Sequence, residues 1–248
     1  MEEVPVMTDF GGKRVLVTGA SQRLGASIAQ AFAACGAAVV VHCFRSREAA
    51  DALASSLPPC PAPLEHEVRV CDLADADAVK RFPSTVGPVD YLVNNAAMWI
   101  RGDASQDELD RQEAVNHLAP CELIRGFAAI RPAGREFAAV NILDAAAVAG
   151  SSDPSPYAAS KRALVRDTRE LARELAPNVR VNAVAPGPVF APRELGDAGM
   201  KRIPGTLPLK RPVSPADVAD AVIYLASSRS VTGSVLAVDC GQSLLQQP

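Results

Sequence analysis

Hydrophobic residues recur along this chain in two alternating rhythms. Short runs rich in valine and other β-formers occur at Arg14–Thr18, Ala38–His42, Glu65–Val70, Val89–Asn94, Phe137–Ile142, Val179–Val184 and Val235–Val238. Between them lie stretches with helical spacing of apolar positions, such as Leu24–Cys35, Ala49–Leu57, Gln106–Ile130, Tyr157–Ala176 and Pro215–Ser227. Strands that alternate with helices predict an α/β fold with a seven-stranded parallel sheet and helices on both faces. Valine-rich strands suit a sheet buried on both sides. Nothing in the pattern divides the chain, so residues 1–248 read as a single domain. Pro58–Pro63 reads as a loop between a helix and a strand. Gly187–Pro215 is the longest irregular segment and is rich in proline and glycine. A loop of that length in a compact domain is usually functional, so residues 188–214 are expected to form a substrate loop or lid.

The composition narrows the setting. The chain is 48% hydrophobic and 4% aromatic with a net charge of −3, enough apolar material for a full core. There is no basic surplus, so nucleic acid and anionic membranes are not expected as partners. No apolar run is long enough to span a bilayer. The first residues lack the basic start and apolar stretch of a signal peptide. The expected location is the cytoplasm. Cys35, Cys43, Cys60, Cys71, Cys121 and Cys240 are scattered singly, as are the three histidines. No spacing among them announces a metal, and none is expected.

Candidate chemistry begins at the first strand, which runs straight into Thr18-Gly19-Ala20-Ser21-Gln22-Arg23-Leu24-Gly25 and then a helix. Such a turn presents backbone N–H groups and a helix N-terminus to a pyrophosphate. Gly19, Ser21, Arg23 and Leu24 are therefore candidate cofactor contacts. The second strand ends His42-Cys43-Phe44-Arg45-Ser46. An NAD site normally holds the ribose 2′-hydroxyl with a carboxylate here, and this segment has none. Arg45 can clamp a 2′-phosphate and Ser46 can donate to it, so NADPH is the expected cofactor. The alternative for Arg45 is a solvated loop charge. Asp72-Leu73 and Asn95-Ala96 follow the third and fourth strands, at the carboxyl ends where open α/β sheets bind ligands. Asp72 has the alternative of capping the next helix.

Further on, Asp144 precedes Tyr157 and Lys161, which sit four apart on one predicted helix face. Together with the glycine turn, Asp72, Asn94-Asn95-Ala96, Asn116, Asn182-Ala183-Val184-Ala185-Pro186-Gly187-Pro188, Val231-Thr232-Gly233 and Val238-Asp239, this pair resembles the short-chain dehydrogenase/reductase family over nearly the whole chain. The resemblance implies a one-domain Rossmann fold and hydride transfer with a nicotinamide. It also implies a homotetramer paired through the long central helices and the segment near Leu244–Pro248. It assigns Tyr157, Lys161 and Asn116 to catalysis, with Lys161 holding the nicotinamide ribose and lowering the tyrosine pKa. Tyr157, Lys161, Pro186 and Gly187 join the cofactor contacts. Two departures, Arg23 for glycine and Asp144 for the family's serine, resemble the pteridine reductases. So do the His42-x-x-Arg45-Ser46 segment and Trp99, the single tryptophan, at the position that stacks on a pterin. Ala97 and the Phe190–Arg211 loop do not follow that subgroup.

Asp144 decides the expected substrate. An ionised carboxylate has no proton to give, and beside a developing alkoxide it repels. It suits a substrate that offers N–H groups or a ring nitrogen awaiting a proton. The expected activity is NADPH-dependent reduction of a pterin- or folate-like heterocycle, with Asp144 and Tyr157 as a proton relay. Arg23 and Trp99 complete the substrate site; Trp99 has the alternative of a core or subunit-contact residue. The rival activities are an ordinary ketone reductase and, from another class, a non-catalytic NADP-binding regulatory protein.

Overall fold

The computed structural model describes residues 8–100, 103–148, 153–190 and 205–245. Seven strands form one parallel sheet: β1 (Arg14–Val17), β2 (Ala38–Cys43), β3 (Glu67–Val70), β4 (Tyr91–Asn94), β5 (Phe137–Ile142), β6 (Val179–Pro186) and β7 (Val235–Val238). Their order is β3-β2-β1-β4-β5-β6-β7, the doubly wound arrangement with its switch point between β1 and β4. The helices are α1 (Arg23–Ala34), α2 (Arg47–Ser56), α3 (Ala76–Val86), α4 (Gln106–Glu113), α5 (Ala119–Ile130), α6 (Ala145–Val148), α7 (Pro156–Glu174) and α8 (Pro215–Ser227).

Strand alternation splits the core in two. Val15, Val17, Val39 and Val41 face α1, α2 and α8, against Ile28, Phe32, Leu53 and Val222. Leu16, Val40 and Leu92 face α3, α5 and α7, against Phe82, Phe127, Ile124 and Leu164. Both faces of the central strands are fully buried, which is why those strands read as continuous apolar runs.

Three features differ from the sequence expectation or add to it. The stretch Gln106–Ile130 is not one regular helix. A π turn at Ala114–Leu118 separates α4 from α5, and Ala119 N–H bonds back to the Ala114 carbonyl. Pro120 accounts for the place. Proline has no N–H and crowds the carbonyl four residues back, and the wider turn makes room for it. Helix α3 contains Pro83, which argues against a helix when read alone. Asp75 caps it by accepting from Asp77 and Ala78 N–H, both at 3.0 Å. Pro83 then packs on α5 at Gly126, where a Cβ would sit 2.7 Å from Pro83 Cγ. Finally, β6 runs on to Pro186. Most of the expected lid, residues 191–204, lies outside the described residues.

Gly126→Ala is expected to destabilise the fold by about 1–3 kcal/mol through overpacking, despite the better helix propensity of alanine. A companion Pro83→Ala change should recover much of the loss. Urea unfolding of the single and double variants checks this; an unshifted midpoint for Gly126→Ala would contradict the packing.

Candidate active site

At the switch point the chain turns against itself. Thr18 Oγ1 donates to the Val93 carbonyl at 3.3 Å and accepts from Asn95 and Ala96 N–H at 2.9 and 3.0 Å. Asn95 Nδ2 donates to the Thr18 and Gly19 carbonyls at 2.9 and 3.1 Å. Gly19 has a φ of +61°, and a Cβ there would lie 2.9 Å from Ala96 Cα. At Gly25 a Cβ would lie 2.4 Å from the Gly19 carbonyl oxygen. Only glycine lets α1 start this close to the sheet. The N-cap residue, Gln22, makes no side-chain capping bond, so the first N–H groups of α1 remain directed at a ligand site.

That helix start opens on a cavity of about 510 Å³. The cavity brings together Gly19, Ser21, Arg23, Leu24, His42, Arg45, Ser46, Asp72, Leu73, Asn95 and Ala96, each expected at the cofactor end. The donor set fits a dinucleotide phosphate: uncapped helix N–H groups at one end, and Arg45 and Ser46 with no carboxylate between Cys43 and Ser46 at the other. His42 contributes to the wall while both its ring nitrogens are committed to the chain. Nδ1 accepts from Gly19 N–H at 3.0 Å and Nε2 lies 3.1 Å from the Cys71 carbonyl. That pairing requires the neutral Nε2–H tautomer. Burial agrees, pushing the His42 pKa down to about 4. Asp72 does not cap the following helix; Asp75 does. Asp72 accepts instead from Ala74 N–H at 2.9 Å and pairs with Arg111 Nη2 at 3.0 Å.

Several lining residues escaped the sequence reading. Phe44 lies under the Arg45 guanidinium at 5.0 Å; Phe190, inside the expected substrate loop, lies under that of Arg23 at the same distance. Arg111 and Val115 share one helix face, four residues apart, and both reach the cavity. Arg23 adopts a φ of +54°, a left-handed conformation that costs a non-glycine residue about 1 kcal/mol.

A second cavity, about 190 Å³, gathers Trp99, Asp144, Ala146, Asp153, Ser155, Tyr157 and Ala158. Trp99 is 55% exposed, so it is no core residue of the chain. Its ring centroid lies 6.1 Å from that of Tyr157. The segment carrying it is tied down on both sides. Asn116 Oδ1 accepts from Met98 N–H at 2.7 Å, and its Nδ2 donates to the Met98 carbonyl at 2.8 Å. Gln112 Oε1 accepts from Ile100 N–H at 2.9 Å. Asn116 therefore grips the Trp99 segment directly, with Ser160 Oγ at 3.3 Å. Gln112, fully buried, had no sequence signal.

Tyr157 follows the start of α7, where Ser155 accepts from Ala158 N–H. Its side chain shares the cavity with that of Asp144, and Asp144 Oδ1 accepts from Ala146 N–H at 2.8 Å. Burial raises the Asp144 pKa. The Ala146 bond, Lys161 and Tyr157 each pull it back, so Tyr157 does not help to raise it. The tyrosine itself is raised, by burial first and then by Asp144. This corrects the expected lowering by Lys161. The lysine is buried, donates to the Ile142 carbonyl at 2.9 Å, and is pushed down to about 8 by desolvation. Pro186 and Gly187 line neither cavity. Gly187 packs on Asp239, where a Cβ would lie 2.8 Å from Asp239 Cα.

The His42 environment sets a pH dependence. Its folded pKa, about 4, lies below the ordinary 6.5. Between those values the unfolded chain binds a proton that the native chain refuses, so this contribution to stability is present above 6.5 and lost as pH falls toward 4. The full loss is about 3 kcal/mol. Urea unfolding across that window should show a shallower pH slope in His42→Gln than in the parent; equal slopes would rule the effect out.

Comparison with known proteins agrees with this geometry. A family model described as enoyl-(acyl carrier protein) reductase matches residues 19–243. L-xylulose reductase of Bos taurus is 36% identical over 248 aligned positions, covering 94% of this chain and 97% of the relative. Glucose 1-dehydrogenase of Gluconobacter oxydans (strain 621H) is 33% identical, covering 97% and 95%. Among solved structures, FolM alternative dihydrofolate reductase 1 from Brucella canis, complexed with NADP, superposes with a TM-score of 0.84 at 32% identity, covering 95% of each chain. The matched family model and these near full-length relatives place the chain in the short-chain dehydrogenase/reductase family of nicotinamide-dependent oxidoreductases.

Proposed function

We propose that this protein is an NADPH-dependent reductase of a flat pterin- or folate-like heterocycle. One observation carries the reading: Asp144, Tyr157 and Trp99 line one small cavity, with the carboxyl close enough to act on the phenol and the indole beside it. The likeness to FolM alternative dihydrofolate reductase 1 supports it. Arg45 and Ser46, without a neighbouring carboxylate, support NADPH over NADH. The cofactor supplies hydride when bound. Tyr157, held protonated by burial and by Asp144, keeps a proton ready for a ring nitrogen. The Asp144 carboxylate accepts N–H bonds from the heterocycle and holds its edge against the phenol. Trp99 covers one face of the ring, a contact worth about 0.5–1.5 kcal/mol beyond burial. Exposed Leu118, Leu244 and Leu245 offer apolar surface for a homotetramer, and we place the enzyme in the cytoplasm. No helix among the described residues is long and apolar enough to cross a membrane.

The identities with L-xylulose reductase and glucose 1-dehydrogenase favour a second reading, reduction of a simple carbonyl. The two readings separate on Asp144. A carboxylate beside a developing alkoxide opposes carbonyl reduction, whereas it assists a substrate with ring N–H groups.

NADPH oxidation by the purified protein is expected with dihydrobiopterin or dihydrofolate and not with simple ketones. Asp144→Ser should lower pterin kcat about 100-fold. Trp99→Ala should raise KM about 2- to 10-fold with little change in kcat. Turnover confined to ketones, or full pterin activity in Asp144→Ser, would overturn the substrate assignment.

A further inference from the structure

Next to Asn116 on the π turn, a second group of side chains converges. His117 belongs to the turn, Cys121 follows four residues later on α5, and Asp167 projects from α7. Residues four apart share a helix face, so the imidazole and the thiol point the same way. One ligand atom from each of the three lies within 4.8 Å of the other two. His117 Nε2 is 2.7 Å from Asp167 Oδ2, and Cys121 Sγ is 3.7 Å from the same oxygen. His117 Nδ1 meets Glu113 Oε1 at 2.5 Å on the other side of the ring. Arg166 Nε holds the outer oxygen, Asp167 Oδ1, at 3.0 Å.

We infer that His117, Cys121 and Asp167 form a binding site for one thiophilic divalent cation of the zinc type, separate from the reductase centre. Both ring nitrogens of His117 face carboxylate oxygens, which accept and do not donate when ionised. The thiol faces one of those same oxygens. One carboxylate, the imidazole and the thiol are thus turned toward one another, an arrangement that a central cation satisfies. Bond lengths of about 2.0 Å to N and O and 2.3 Å to S set ligand-to-ligand edges of about 3.3–3.7 Å in a tetrahedral zinc site. The Cys121–Asp167 separation already meets this. The His117–Asp167 contact must open by about 0.6 Å, a small rotation for Asp167, which is only partly buried.

Glu113 supplies the outer contact. A carboxylate on Nδ1 fixes the tautomer and leaves Nε2 as the ligand atom, the usual partner of a metal-bound histidine. Three protein ligands leave a fourth position for water. Binding displaces the thiol proton of Cys121 and the proton between His117 Nε2 and Asp167, and the resulting thiolate and carboxylate balance the divalent charge. A mixed thiolate, imidazole and carboxylate set favours zinc or cobalt over magnesium or calcium. No spacing along the chain announces the group, because Asp167 arrives from a separate helix.

The test is titration of the chelator-treated full-length protein with Co²⁺. Binding of one equivalent should produce a thiolate-to-cobalt charge-transfer band and tetrahedral d–d absorption, both bleached by Zn²⁺. Cys121→Ser should abolish the charge-transfer band, and His117→Gln should weaken binding at least about 10-fold. Both variants should bind NADPH as the parent does, which reports an intact fold. Absence of the band in the parent at about 100 μM cobalt, far above a tight site's dissociation constant, would overturn the inference, as would a band that survives Cys121→Ser. Either result would leave the cluster a hydrogen-bonded imidazole between two carboxylates.

Discussion

The close approach of backbone to backbone at the β1–β4 switch point is the constraint on which the rest of the structure depends. Two glycines, Gly19 and Gly25, allow it, and the Thr18 hydroxyl and Asn95 amide hold it. The start of α1 can face a ligand only because no side chain stands between that helix and the sheet. His42 extends the constraint sideways, joining the turn after β1 to the Cys71 carbonyl beyond β3. Three loops that would otherwise move independently thereby share one hydrogen-bonded frame. The large cavity keeps its shape through that frame.

The smaller cavity depends on a different device. Pro120 imposes a wide turn on the central helix, and the turn aims Asn116 at the Met98 backbone. Gln112, one turn earlier, takes the Ile100 N–H. Trp99 is exposed and still placed, because the residues on either side of it are anchored by buried amides. Tyr157 meets it from α7, and Asp144 meets Tyr157 from the end of β5. Three elements each contribute one side chain to the substrate end of the site.

Burial and chain order explain what the sequence disclosed. The sheet was legible because every central strand is buried on both faces, giving apolar runs with no competing period. The cofactor end was legible because Gly19, Arg45 and Asn95 sit at strand ends, where chain order already implies position. A helix after β3 was expected, but how Pro83 is accommodated inside it was not legible, since that depends on Gly126 from another helix. Arg111, Phe44 and Gln112 were hidden because a polar residue in a helix, or an aromatic one in a loop, carries no mark of what it faces. The direction of the Tyr157 shift was hidden as well. It follows from burial and from contact with Asp144, neither of which spacing along a chain can report.

Arg23 holds a left-handed conformation at a position where glycine relieves the backbone, and its guanidinium lies over Phe190. Selection for a more stable fold and selection for this side chain therefore pull in opposite directions at one residue. A lineage drifting under stability alone would favour glycine there and lose the cation over Phe190. Persistence of arginine at this turn would then record continued demand for what its charge does.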